Sequence, residues 1–337
     1  MLPLASLVEA VLHFLDPGVI LRVLVDGLSK ASLYVMIAAG LSLIFGLMGV
    51  LNFAHGSLTA IGAYLGGLVV LLLVSQMTGD VARLGAFFVA VVVVFALLTA
   101  FGSLLEVKLI RPLYDRPPLY QILLTFGVTL VLEEVLRMVL HFYGIQPTTK
   151  WQEALGTKPS FLSPTESLSV LGTNVAGLDL FEILFGVCVT AGLWAFLTRT
   201  RYGLYIRAGS EDAEMAEALG IDIRQAFTVV FGVGVGVTGI AGTLLMWDVA
   251  WAATIGLGAE VLLPAFVVVI VGGLGTFRGT VVAGVLVGLV DALTTELFTS
   301  DIVGFSQLPE LVIFLILVVM LVVRPQGLYG VAEVGGH

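Results

Sequence analysis

Charge is what this chain has least of. Asp, Glu, Lys and Arg make up 12% of its 337 residues, about half the share of an ordinary soluble domain. With 59% of residues hydrophobic and a mean hydropathy of +1.10, there is more apolar surface than a water-soluble core can absorb. Lys and Arg number only 15, too few to leave the electrostatic footprint of a nucleic-acid-binding protein. Cys188 is the sole cysteine, which excludes an intrachain disulfide, and its apolar setting, Gly186-Val187-Cys188-Val189, is that of a small buried hydrophobe. None of the four lysines follows a glycine, so the chain has no phosphate loop and cannot itself be an ATPase. His13 and His141 lie far from His55 and no carboxylate cluster accompanies it, so no metal is expected. No set of acid, base or metal groups clusters as an enzyme would need. Residues 2 to 15 lack a basic stretch and a cleavage site, so the N-terminus is expected to be retained.

What fills the chain instead is Val, Leu and Ala interspersed with 40 glycines, which in membrane helices let backbones approach closely. Segments near the ~20 residues that cross a bilayer fall at 28–47, 57–76, 84–107, 119–141, 179–198, 226–247, 260–275, 280–299 and 308–323. Two are short or interrupted by Gly, so the expected fold is an all-α polytopic transmembrane helical bundle of eight to ten spans, forming one domain over 1–337. Short basic loops stay on the cytoplasmic side. Lys108, Arg111 and Arg116 mark one such loop, and Arg199, Arg201, Arg207 and Arg224 another two spans later. The same parity puts Arg278, Arg324 and the C-terminus inside. Nine spans leave the N-terminus outside, against which Arg22 and Lys30 argue, and an additional N-terminal half-span or interfacial helix would reconcile them. The polar stretch 142–178, with Pro147, Thr148, Thr149, Trp151, Pro159, Pro164 and Asn174, is expected on the external side.

Membrane-depth polar groups are few. Asn52, Phe53, His55 and Gly56 interrupt two apolar segments, either lining a pathway or satisfying the backbone of a broken helix. Glu133 and Glu134 stand i+4 and i+3 from Arg137 within one span, a spacing that allows internal pairing. Asp248, Asp291 and Glu296 fall near span ends and are expected to be solvated. A faint internal echo links Gly46-Leu47-Met48-Gly49 with Gly272-Gly273-Leu274-Gly275. Each reads as a Gly-broken segment leading into a helix with a small-residue face, whether by a true repeat or by coincidence in a Gly-rich chain.

Between two spans, Arg207 to Ile221 reads as a short helix. Ser210 is its expected N-cap, Glu211 and Asp212 lie in its first turn and Gly220 is its terminator. Met215, Ala216 and Leu219 form an apolar stripe, while Glu211, Glu214 and Glu217 lie on another face. Either it presents a docking surface or it lies on the membrane, and its acidic face disfavours the second. This segment resembles the coupling loop of ABC importer permeases. Leu51-Asn52-Phe53-Ala54-His55-Gly56, Gly272-Gly273-Leu274-Gly275-Thr276-Phe277-Arg278-Gly279 and Arg324-Pro325-Gln326-Gly327-Leu328 resemble, in order, motifs of branched-chain amino acid permeases of the LivH type.

The resemblance spans about residues 27 to 330 and implies an importer subunit in the bacterial inner membrane that works by alternating access. It implies no cofactor bound by this chain. ATP would be hydrolysed by two cytoplasmic ATPase subunits docked on the coupling loop, 199–225, through Ser210, Glu211, Glu214, Met215, Ala216, Glu217, Leu219 and Gly220. The other implied partners are a second permease subunit, usually a paralogue, an external solute-binding protein and membrane lipid. Asn52, Phe53, His55, Gly56, Gly273 and Gly275 are the candidate pathway residues. Importers of urea and short-chain amides share this permease type. An ion-coupled transporter or a passive channel is the competing class, for which a cytoplasmic coupling helix would have no use.

Overall fold

The computed structural model describes residues 13–75, 79–163, 168–170, 172–299 and 308–330. Within them the chain forms helices α1 (Pro17–Met48), α2 (His55–Val74), α3 (Asp80–Leu105), α4 (Pro118–Phe142), α5 (Gln152–Leu155), α6 (Gly177–Arg199), α7 (Arg201–Glu211), α8 (Ala213–Ala218), α9 (Ile223–Leu245), α10 (Leu257–Gly272), α11 (Phe277–Thr299) and α12 (Leu308–Val323). Strands β1 (Leu168–Val170) and β2 (Thr173–Val175) pair antiparallel, Leu168 opposite Val175. The protein is an all-α polytopic bundle, and each expected span falls on one of its long helices. Six of them, α1, α2, α3, α6, α9 and α11, are long and apolar enough to cross a membrane. Helix α4 has the length but carries Glu133, Glu134 and Arg137. Helices α10 and α12 have 16 residues each, about 24 Å of helix where the hydrocarbon is about 30 Å thick.

Successive long helices alternate in direction, which gathers the α3–α4, α6–α9 and α10–α11 connections at one end with Lys108, Arg111, Arg201, Arg207 and Arg278. That is the basic end. Residues 143–163 and 172–176 lie at the other, the loop end, where Trp151 N–H donates to Ala253 O at 3.2 Å and Lys150 Nζ reaches the carbonyls of Val249 and Ala250. Helices α1 and α9 form the centre: 83% of the most apolar stretch of each is buried, against 28% for α6. Cys188 lies on the outward side of α6 and is exposed, contrary to the expectation that it is buried. An apolar neighbourhood in sequence does not distinguish a lipid-facing side from a core-facing one, because both are apolar.

Helix α1 starts at Pro17 rather than at residue 28. The Asp16 carboxylate caps it, accepting the Gly18 N–H at 2.8 Å, and proline suits the first helical position. An additional segment before it falls mostly on residues outside those described. The cations that argued against this topology are neutralised internally: Lys30 Nζ lies 3.1 Å from Asp291 Oδ1 and Arg22 Nη1 3.6 Å from Glu296 Oε1, both acids belonging to α11. Asp291 also accepts the Tyr34 hydroxyl at 2.7 Å and is buried, so neither it nor Glu296 is the solvated span-end acid the sequence suggested. Asp248 is likewise engaged, accepting the Ala250 N–H at 2.7 Å in the turn between α9 and α10. The physical reason is common to all three, since a carboxylate among apolar helices is stable only with donors or a counter-charge.

At the basic end a π-turn over Glu106–Ile110 carries the chain from α3 toward α4. It buries Glu106 completely and brings Arg111 onto it in a fork, with Nε–Oε1 at 3.1 Å and Nη2–Oε2 at 2.8 Å. Tyr114 Oη donates to the same carboxylate, as does Thr228 Oγ1 of α9 at 2.8 Å, so the α3–α4 turn is tied to the central helix. Replacing Arg111 by Leu leaves the buried carboxylate without its counter-charge and is expected to destabilise the fold by about 3–5 kcal/mol. The measurement is thermal unfolding of the detergent-solubilised chain, in which R111L melts below wild type and R111K, lacking the fork, falls between.

Candidate functional site

The first break lies between α1 and α2. Gly49 ends α1 with φ 65°, its N–H bonded to Phe45 O at 2.8 Å, and Val50 to Ala54 run back along the helix just left. His55, the first residue of α2, is wholly buried and donates from Nε2 to Ile37 O at 2.9 Å. Ile37 is eleven residues before the end of α1, so α2 begins about 16 Å back inside the bundle. Asn52, also buried, turns its Oδ1 onto the Ala54 N–H at 3.1 Å and holds the approach to the new helix. Gly56 packs directly on Gly258 of α10, whose carbonyl occupies the place of a Cβ. Among the pathway candidates of this motif, Asn52, His55 and Gly56 are therefore enclosed within the subunit. Phe53 is half-buried, its ring 5.2 Å from that of Phe266.

The second break, between α10 and α11, lies against the end of α1. Gly273 at φ 104° and Gly275 at φ 78° take the chain through a turn that side-chain-bearing residues resist. A Cβ on Gly46 would stand 2.8 Å from the Gly275 Cα, so the two echoing Gly motifs meet backbone to backbone. The C-terminal motif completes the turn: Leu328 N–H donates to Val271 O at 2.8 Å and Tyr329 N–H to Gly272 O at 3.0 Å. These bonds satisfy carbonyls at the end of α10 that would otherwise be orphaned. The Arg324–Leu328 motif is thus a cap on the helix that carries the other glycine motif.

Beside this junction stands an elbow of two short helices rather than the single helix expected. Thr200 caps α7, its Oγ1 accepting the Gly203 N–H at 3.0 Å, and α7 runs through Glu211. Ser210 sits inside α7, donating to Arg207 O at 2.9 Å, and is not the N-cap. That role belongs to Asp212, whose Oδ1 accepts the Met215 N–H at 2.9 Å and starts α8. Two good capping residues stood two apart, and the carboxylate is the better placed. The expected terminator holds: Gly220 has φ 86°, with Gly220 N–H on Glu217 O at 2.9 Å and Ile221 N–H on Ala216 O at 3.0 Å. Ala216 faces inward, while Met215 and Leu219 are 57% and 76% exposed, apolar side chains with nothing of this chain to cover them. Glu211, Glu214 and Glu217 are exposed as well. A cleft of about 430 Å³ between elbow and junction is lined by Arg207, Ser210, Gly46, Gly275 and Arg278.

Residues 23–323 match the family described as the branched-chain amino acid transport system permease component. The chain belongs to that family. BraD, a high-affinity branched-chain amino acid transport system permease protein of Pseudomonas aeruginosa, is 28% identical over 93% of this chain and 97% of its own length. LivH of Escherichia coli K12 is 24% identical over 93% and 96%, and a probable LivH of Methanocaldococcus jannaschii 25% over 89% and 90%. The solved structure of PsaBC from Streptococcus pneumoniae in complex with Fab aligns over 96% of this chain and 98% of its own, at 13% identity and a TM-score of 0.45.

The permease also carries contacts that sequence reasoning did not single out. Glu133 does not join Arg137 but accepts Ser57 Oγ at 3.2 Å, one residue past Gly56, while Glu134 alone pairs with Arg137 at 3.3 Å. Glu106 with Arg111 escaped notice because a π-turn sets them five apart, outside the i+3 and i+4 spacings of an α-helix. Trp151, expected in an open polar loop, is buried and stacks on Tyr64 at 5.6 Å.

Two outcomes follow for the permease. Asp212→Ala should loosen α8 by about 1 kcal/mol, seen as faster hydrogen exchange over residues 213–218, whereas Ser210→Ala leaves exchange there unchanged. Gly56→Ala should cut the folded yield in size-exclusion chromatography, because its methyl group meets the Gly258 carbonyl; Gly127→Ala, whose methyl group meets nothing, should not.

Proposed function

We propose that this chain is a membrane-spanning subunit of a bacterial ABC importer that moves branched-chain amino acids by alternating access. Family membership along nearly the whole chain carries the reading, supported by the likeness to BraD and LivH, permease proteins of high-affinity branched-chain amino acid transport systems. Energy is supplied by ATPase subunits on the basic side. Two such subunits, one for each permease of a pair, and a paralogous second permease complete the assembly. This orientation places the C-terminus in the cytoplasm and the 142–178 segment outside.

The α7–α8 elbow is the surface for the ATPase. It is capped at both ends of α8, exposes Met215 and Leu219, and abuts the Gly46–Gly275 junction, so force applied there would reach both helix breaks. The paired breaks flank the pathway, with Asn52 and His55 bracing the first break from inside and Phe53 available to the pathway. A solute-binding protein docks at the loop end. Thr148, Thr149, Gln152 and Glu153 are the exposed loop positions suited to it, while Trp151 is held inside the fold.

Changing Met215 and Leu219 together to Asp should abolish transport and substrate-stimulated ATP hydrolysis in the reconstituted complex. Insertion and folding should be unaffected, because both side chains are exposed. Normal stimulated hydrolysis in that variant would remove the elbow from the coupling mechanism.

A further inference from the structure

Away from the elbow, a cavity of about 510 Å³ opens among α1, α10, α11, α12 and the 246–256 turn, toward the loop end. Helices α10 and α12, of 16 described residues each, both present an acidic residue from the first described turn to this cavity, Glu260 and Glu310. Among the described residues neither carboxylate has a hydrogen-bond or ion-pair partner, unlike the acids of α11 nearby. Pro264, also in the lining, has no N–H to give to the Glu260 carbonyl four residues before it, which leaves that oxygen short of its helical donor. Two carboxylates make this wall rich in acceptors, and the Glu260 carbonyl belongs to the same turn.

The opposite chemistry stands across α1. Among the described residues Lys30 is the cation of the lining, and it is held in place by Asp291 Oδ1 at 3.1 Å and Thr295 Oγ1 at 3.1 Å, two contacts for an ammonium with three donors. Tyr34 fixes the far oxygen of Asp291 and is in turn met edge-on by Trp251 at 6.3 Å. The remaining wall is apolar, from Trp251, Leu263 and Phe314.

We propose that this cavity binds an amino acid as a zwitterion with an apolar side chain, as a station inside the permease itself. Its ammonium lies against Glu260, the freed carbonyl and Glu310, its carboxylate takes the spare donor of Lys30, and its side chain rests on Trp251, Leu263 and Phe314. The inference rests on the amino-acid transport reading above and goes beyond it, because it gives the permease a recognition site of its own. A primary ammonium beside an anion on an apolar body also describes an aminophospholipid headgroup, and the test separates the two.

The experiment uses the assembled complex in detergent without binding protein and measures saturable binding of radiolabelled L-leucine. Wild type should bind it, competed by unlabelled leucine but not by 4-methylpentanoate, which lacks the ammonium. Glu260→Gln and Glu310→Gln, both at exposed positions, should each weaken binding at least about tenfold, the loss of one charge-assisted hydrogen bond. They should also narrow the preference for leucine over 4-methylpentanoate, which a purely structural role would leave untouched. Absence of saturable binding to wild type overturns the proposal, as does unchanged affinity in both variants. Phosphatidylethanolamine retained by wild type in native mass spectrometry, lost in the variants and not displaced by leucine, assigns the cavity to lipid and overturns it too. Transport of short-chain amides and of no amino acid by the complete complex would instead overturn the substrate reading.

Discussion

Backbone-to-backbone contact of each helix break with the other's helix is the constraint on which the rest of this structure depends. Inside a membrane every amide that leaves a helix must find its partner within the protein. The two breaks solve this by each lying against the other's helix, Gly275 of the second on Gly46 of α1 and Gly56, just past the first, on Gly258 of α10. There is little hydrophobic drive between helices in lipid, so packing distance decides association. A single methyl group at these contacts would force the helices apart.

The other motif segments are arranged around that junction. The C-terminal turn hydrogen-bonds the carbonyls that end α10, His55 crosses to α1, and the α7–α8 elbow stands beside Gly46 and Gly275. Segments far apart in the chain thus meet near the basic end, where the buried Glu106–Arg111 fork also ties the α3–α4 turn to α9. Helix α8 is capped at both ends, by Asp212 and by Gly220, which limits its fraying. At the loop end the pairing is electrostatic, with Asp291 and Glu296 of α11 answering Lys30 and Arg22 of α1.

Most of the architecture was legible in the sequence. Runs of apolar residues of a definite length can be read without a partner, and so can the local chemistry of Gly220, whose positive φ follows from its place after a short helix. Capping was read only in part: Ser210 and Asp212 are both able caps, and the choice between them depends on where α7 ends, which its packing on α1 and α9 decides. The role of His55 was open because a polar residue at a break serves a pathway or a neighbouring backbone equally well in sequence. Its hydrogen bond to Ile37 O answers the question for Nε2.

Composition and hydrophobic run length alone determined that this chain is a helical membrane bundle, because no other solvent accepts so much apolar surface and no other form satisfies its backbone there. Spacing determined where the chain breaks and turns. Which charges pair was decided only by tertiary structure: Arg22, Lys30, Asp291 and Glu296 look solvated one at a time and become two ion pairs only when α1 lies along α11. The same holds for which side of α6 turns outward and for the helices that bring Glu260 and Glu310 to one cavity. A single sequence records the length of each apolar segment, since that is a local property. It does not record rotation about the helix axis, which is set by the neighbour that each face meets.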